Sequence, residues 1–117
     1  MGLSPLSMLS HKTAAVRANV DDLMNFSDYA VELIGLDHVA VGSDVFDSFT
    51  KLSWETTTKR WYPSGFLWET MAAEGFSGVH EFPNLTRGLV ARGYSDEDIT
   101  KIVGGNWLRL FKRVWAA

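Results

Sequence analysis

The stretch His38-Val39-Ala40-Val41-Gly42-Ser43-Asp44 decides the fold. It is short and apolar on both faces, carries two β-branched valines, and then turns abruptly polar. A strand with one face in water alternates apolar with polar residues, whereas a strand buried on both faces, as in a parallel sheet, does not. The expectation is a buried strand over residues 39–43. Upstream, Asn19 suits a helix N-cap, and Asp21 and Asp22 put carboxylates at the positive end of the helix dipole. Leu23, Phe26, Ala30 and Leu33 recur at spacings of three and four, which predicts one apolar stripe, and Gly35 reads as the stop.

A helix followed by a buried strand with a polar end is the αβ half of an α/β repeat. The pattern supplies only one such strand. A lone parallel strand leaves its backbone donors and acceptors without partners. Residues 1–117 therefore read as a single incomplete α/β domain, mostly helical in isolation, or as one that associates with copies of itself. Residues 1–18 look irregular. Residues 45–82 show no clear period, hold Trp54, Trp61 and Phe76, and leave room for a short helix over Phe66–Ala73. A segment this long without elements of its own is usually a functional loop.

The C-terminal part is more regular. Pro83 suits the first turn of a helix running through Leu85 and Leu89 towards Gly93. Ser95-Asp96-Glu97-Asp98 resembles a capping box, with Ile99, Ile102 and Val103 following. Gly104-Gly105 is expected to break that helix, and Asn106 to cap a last one. There Trp107, Leu108, Phe111, Val114 and Trp115 share one side, while Arg109, Lys112 and Arg113 share the other.

Composition excludes several classes. The 117 residues hold 11 basic and 14 acidic side chains, a net charge of −3, which gives no electrostatic case for nucleic acid. There are no cysteines, so disulfide frameworks and thiolate metal sites are out. No apolar run approaches the ~20 residues of a membrane span. The chain reads as soluble, with the cytoplasm as the default compartment. Aromatics make up 13%, a large share for a chain with little interior to receive them. That excess, with the edges of the strand, leads to an expectation of self-association.

Few residues are candidates for chemistry. The histidines, His11, His38 and His80, form no metal-binding cluster. His38 and Asp44 bracket the strand and lie roughly 20 Å apart at its opposite ends, so they cannot share an ion. Ser43 has no sequence-local base, and Gly-x-Ser-x-Gly is absent. Asp44 is the candidate functional residue: it closes an apolar strand after two small residues, at the end where α/β folds carry their chemistry.

The run Tyr29-Ala30-Val31-Glu32-Leu33-Ile34-Gly35-Leu36-Asp37-His38-Val39-Ala40-Val41-Gly42-Ser43-Asp44 resembles the last helix–strand passage of the membrane (renal) dipeptidase family. So do Phe82-Pro83-Asn84-Leu85-Thr86, Gly93-Tyr94-Ser95-Asp96-Glu97-Asp98-Ile99 and Gly104-Gly105-Asn106-Trp107-Leu108-Arg109, in that order. The resemblance implies the C-terminal part of a (β/α)8 barrel metallopeptidase: last strand, flanking helices and a helical extension. It implies two zinc ions activating a bridging water against a dipeptide or related amide, with the zinc ligands outside this chain. A full barrel takes ~250 residues, so about seven strands would lie elsewhere. Asp44 matches the strand-8 aspartate that handles the substrate amino group and protons. Val45 intrudes where the family has Asp-Phe-Asp-Gly, so Asp47 is not carried over. Two readings follow: a dipeptidase fragment inactive alone, or a self-contained helical binding or assembly module.

Overall fold

The helix that Asn19 announces runs from Val20 to Ile34 (α1) in a computed structural model, which describes residues 2–3, 17–43, 50–61, 68 and 72–115. Asn19 and Asp22 form a reciprocal box. The Asp22 N–H donates to Asn19 Oδ1, and the Asn19 N–H donates to the Asp22 carboxylate, both at 3.0 Å. Such a cap is worth about 1 kcal/mol. Gly35 ends the helix with φ at 83°. The buried arc is Leu23, Met24, Ser27 and Ala30, whereas Leu33 is 65% exposed. The expected stripe was thus set off-centre. At 3.6 residues per turn Phe26 and Leu33 fall on one margin of the arc that Ser27 centres. Ser27 fits inside because its hydroxyl donates to the Leu23 carbonyl at 2.9 Å.

A single 3₁₀ turn, Leu36–His38, leads into the strand β2, Ala40–Val41. Val39 and Ala40 are buried, and Val41 packs half-buried against the core, as a strand covered on both faces requires. The ladder is shorter than the expected 39–43, and β2 is not alone. Gly2–Leu3 (β1) pairs with it in parallel, Gly2 opposite Ala40 and Leu3 opposite Val41. Two residues are too few to show a strand period, which is why the N-terminal segment read as irregular. With α1 between two parallel strands, the first third of the chain is a β-α-β unit.

Lys51–Ser53 (α2) is a short helix capped by Thr50, whose hydroxyl accepts from the Ser53 N–H at 3.2 Å. It continues through a wide turn, Trp54–Thr58, and a tight one, Lys59–Trp61, and buries Trp54. Most of the short helix expected over Phe66–Ala73 lies outside the described residues. Of its described residues Trp68 lies in a 3₁₀ turn, whereas Ala73 is not helical and bridges to the fully buried Phe76. This segment is laced to the start of α1. Glu74 N–H donates to the Ala18 carbonyl at 2.7 Å and Arg17 Nε to the Ala72 carbonyl at 3.0 Å.

Pro83–Ala91 (α3) follows, with Leu85 and Leu89 buried. It crosses α1 so closely at Gly88 that a Cβ there would stand 2.8 Å from Met24 Sδ. Asp96–Thr100 (α4) starts at Ser95, whose hydroxyl accepts from the Asp98 N–H at 3.2 Å. Gly104-Gly105 does not break the chain there. A wide π-helical turn, Lys101–Gly105, carries it directly into Asn106–Trp115 (α5). Glycine suits that turn because a Cβ at Gly105 would come within 3.1 Å of the Thr100 carbonyl. One buried cluster joins Leu23, Met24, Val39, Phe76, Leu85, Leu89 and Ile102. Burying each of the larger side chains contributes roughly 1.5–3 kcal/mol. Among the described residues no helix is long and apolar enough to cross a membrane.

A polar clamp fastens α1 to the end of α3. Asp28 takes the guanidinium of Arg92 and, at 2.8 Å, the hydroxyl of Tyr94, while Arg92 also donates to Asn25 Oδ1 at 2.8 Å. Burial first, then the hydrogen bond to the Asp28 carboxylate, pushes the Tyr94 pKa up to about 12 from 10.0. A folded-state pKa above the unfolded value means stabilisation that is complete below the unfolded pKa and lost as pH rises through the folded one. In an absorbance titration one of the three tyrosines should therefore ionise only near pH 12, later than tyrosine in the unfolded chain. Tyr94→Phe should abolish that late step and lower stability in urea by about 1 kcal/mol at neutral pH. A single step at the ordinary tyrosine value would contradict the clamp.

Candidate functional site

The chemistry-bearing end of an α/β strand is its C-terminal end, and here that end is fixed by side chains from α5. The Asn106 amide donates both hydrogens to β2's approach, to the Leu36 and Val39 carbonyls, each at 2.8 Å. Trp107 Nε1 donates to the carbonyl of Val41, the last strand residue, at 2.7 Å. The Arg109 guanidinium turns back to the Asp37 carbonyl. Lys101 bridges Glu97 and Asp37, with 3.4 Å to each carboxylate, and those two partners, Glu97 first, raise its pKa.

Side chains of two successive elements, the turn Lys101–Gly105 and α5, thus converge on residues 36–41. Gly42 and Ser43 emerge half-buried from this clip. Asp44, the candidate functional residue, comes next in sequence and lies outside the described residues, as do Asp47 and His11. The other two histidines are not drawn together. His38 is exposed in the turn before β2, and His80 is exposed in the turn Val79–Glu81 that precedes α3. Among the described residues no three His, Asp or Glu side chains converge as a metal centre. The described donors therefore do not fit zinc.

The clip was not legible as such. Asn106 has helical backbone angles, φ −66° and ψ −37°, and is 6% exposed, so it is not the expected cap but a buried pin. The signal was chemical: a buried primary amide must spend its donors somewhere, and so must an indole N–H. Arg109 was read as one of a solvated basic row, yet it reaches backbone on the far side of the chain.

Beside Val41 a cleft of about 440 Å³ opens between the strand and the start of α3, with Phe82, Leu85, Thr86, Arg87 and Val103 in its walls. It suits an apolar group. Arg87 is engaged with Asn84 Oδ1 at 2.9 Å, and no carboxylate or imidazole lines the cleft among the described residues. The nearby carboxylate of Glu81 serves the turn instead. It accepts from the Ser77 N–H at 2.6 Å and the Ser77 hydroxyl at 2.7 Å, and these bonds, the backbone one foremost, lower its pKa.

Residues 63–117, the part holding the tail motifs and the clip, match the family model of the membrane dipeptidases, peptidase family M19. The chain is 40% identical over 86 residues, 74% of its length, to the dipeptidase ataJ of Aspergillus terreus, and covers 16% of that protein. Its fold matches the crystal structure of an amidohydrolase from Pseudomonas aeruginosa over 99% of this chain and 36% of that one. The TM-score is 0.76 and the identity 25%. A second structure, the probable dipeptidase PvdM of the same organism, matches over 86% of this chain and 19% of that one at TM-score 0.57 and 32% identity. In sequence and in fold the chain resembles the membrane dipeptidases, and it spans between 16% and 24% of the length of the curated relatives it matches.

Asn106→Ala removes both hydrogen bonds and leaves the Leu36 and Val39 carbonyls short of a partner. At about 1 kcal/mol per bond, plus the cost of stranding a buried acceptor, the loss should be roughly 2–4 kcal/mol in chemical denaturation. A loss below half a kcal/mol would show that the strand does not depend on α5.

Proposed function

We propose that this chain is the part of a dipeptidase-like hydrolase that carries the last strand of a (β/α)8 barrel with its C-terminal helices, and that it is inactive alone. The observation that carries this reading is the parallel β-α-β unit, which lies within a fold match spanning nearly all of this chain but 36% of an amidohydrolase. The substrate class follows from the relatives: a dipeptide or a related amide. Family M19 is metal-dependent, and on the resemblance to that family the zinc ligands belong to the hydrolase's earlier strands; among the described residues no His, Asp and Glu cluster offers a ligand set.

In that setting Asp44 is the residue of this chain that meets substrate. It follows the small residues Gly42 and Ser43 off the end of β2, where a carboxylate has room to face a ligand. As an anion it holds the substrate ammonium, or it takes up the proton that the attacking water gives off and delivers that proton to the departing amine. The clip from α5 serves this role by holding the strand from which Asp44 departs, since a small displacement of a positioned group is costly to catalysis. A buried cluster that closes within the chain favours the second reading, a self-contained assembly module without catalytic activity.

Two outcomes test the first reading. The purified 117-residue chain should hold no stoichiometric zinc and cleave no dipeptide; one tightly bound zinc, lost to a chelator together with hydrolysis, would overturn the proposal. In the whole hydrolase that carries this sequence, Asp44→Asn should lower turnover by ~10²-fold or more with zinc content unchanged, the usual scale for a positioned proton-transfer group. Near-normal turnover of that variant would remove Asp44 from the site.

A further inference from the structure

The two flanks of α1 meet different surroundings. On one flank Asp28 and Asn25 take the Arg92 guanidinium and Met24 lies against Gly88, so α3 covers that side. The other flank holds Phe26, Tyr29 and Leu33, spaced by three and four residues and therefore in line along the helix. At 100° per residue these three stand roughly 100–160° round the axis from Asp28. Phe26 lies partly buried at the margin of the core, while Tyr29 is 60% and Leu33 65% exposed. Asp22, which shares this flank, sits at the helix start inside the Asn19 box. A surface helix needs one apolar stripe to reach its core. Here α1 carries a second.

We infer that this flank seats the helix of the preceding β-α repeat of the hydrolase, so that α1 lies between two neighbours in one helical layer. The inference rests on the hydrolase reading and names the surface by which these residues meet the rest of that enzyme. Topology is the first support. β1 and β2 are parallel with α1 between them, and a parallel sheet grows through such repeats, each laying its helix beside the next. With α3 already on one side of α1, the layer runs on past the other. The fold match supplies the second support: it covers 99% of this chain but 36% of the amidohydrolase, so most of such a fold has no counterpart among these elements.

Charge narrows the occupant further. Between Val20 and Ile34 stand four acidic residues, Asp21, Asp22, Asp28 and Glu32, and no basic one. A second copy laid α1 against α1 would set like charges together, which costs rather than stabilises. The fitting partner is an amphipathic helix with small or branched aliphatic residues facing Tyr29 and Leu33 and with Lys or Arg along its edges. Once covered, the Tyr29 hydroxyl needs an acceptor, so that helix also offers a polar side chain or a carbonyl opposite it.

The test is hydroxyl-radical footprinting, read by mass spectrometry, of the 117-residue chain and of the whole hydrolase that carries it. Tyr29 and Leu33 should react at least about fivefold more slowly in the whole hydrolase. Tyr29→Glu with Leu33→Glu should leave the circular dichroism and thermal midpoint of the 117-residue chain unchanged, because both positions face water there. In the whole hydrolase the same pair should lower the midpoint by ~5 °C or more, since it would place carboxylates in a packed seam. Equal reactivity in the two proteins, with dipeptide hydrolysis intact in the whole one, would overturn the inference and leave the hydrolase reading standing. Loss of the reading itself would show separately, as a whole protein that cleaves no dipeptide. Protection of Tyr29 that rises with the concentration of the 117-residue chain would also overturn the inference, in favour of a second copy on this flank.

Discussion

The structure depends on a clip of three side chains on four backbone carbonyls: Asn106 on Leu36 and Val39, Trp107 on Val41, and Arg109 on Asp37. A two-residue parallel ladder is far too short to hold its place by its own hydrogen bonds. Packing supplies the rest of the restraint, through Val39 in the core and Val41 against it. Packing alone, however, tolerates sliding along a strand, whereas donors aimed at particular carbonyls fix the register. The clip also reaches across the whole described chain, joining its last helix to its β-α-β unit.

That arrangement explains why the tail motif has the residues it has. The wide turn at Gly104-Gly105 sets the phase of α5 so that Asn106 faces inward while Phe111 and Trp115 face out. A regular helix would rotate these residues away from the strand, since one inserted residue shifts the face by roughly 100°. Glycine at 105 makes the turn possible, and the amide at 106 makes it useful. The same rotation presents these two aromatics at the surface, so strand anchoring and surface exposure are two results of one backbone irregularity.

Much of this was readable in the residues, and what was not has a physical reason. The Asn19 cap, the Gly35 stop, the Pro83 start and the Ser95 cap are local chemistry, and local chemistry is written in adjacent residues. The doubly buried strand was visible because its face pattern fails to alternate. The second strand was not, because Gly2–Leu3 is too short to show any pattern and is defined only by its pairing with Ala40 and Val41. Leu33 was misassigned for a related reason: spacing gives the existence of a stripe but not which arc the rest of the fold covers. Asn106 looked like a cap because Asn so often is one; only its buried position makes it a pin. Asp44 lies outside the described residues, and only the strand that leads to it can be compared. Asp44 could be nominated from its place after the strand, but nothing in the sequence pattern told that α5 holds that strand.

The central claim is that this chain supplies the terminal strand and its anchoring helices to a dipeptidase-like hydrolase. The most direct measurement grafts it into such an enzyme: the segment of the Aspergillus terreus dipeptidase that aligns with this chain is replaced by the corresponding residues here, and dipeptide hydrolysis is assayed with zinc content. The account predicts a folded, metal-loaded chimera that cleaves dipeptides and loses that activity on Asp44→Asn. A chimera that folds and holds its metal yet cleaves nothing would contradict it.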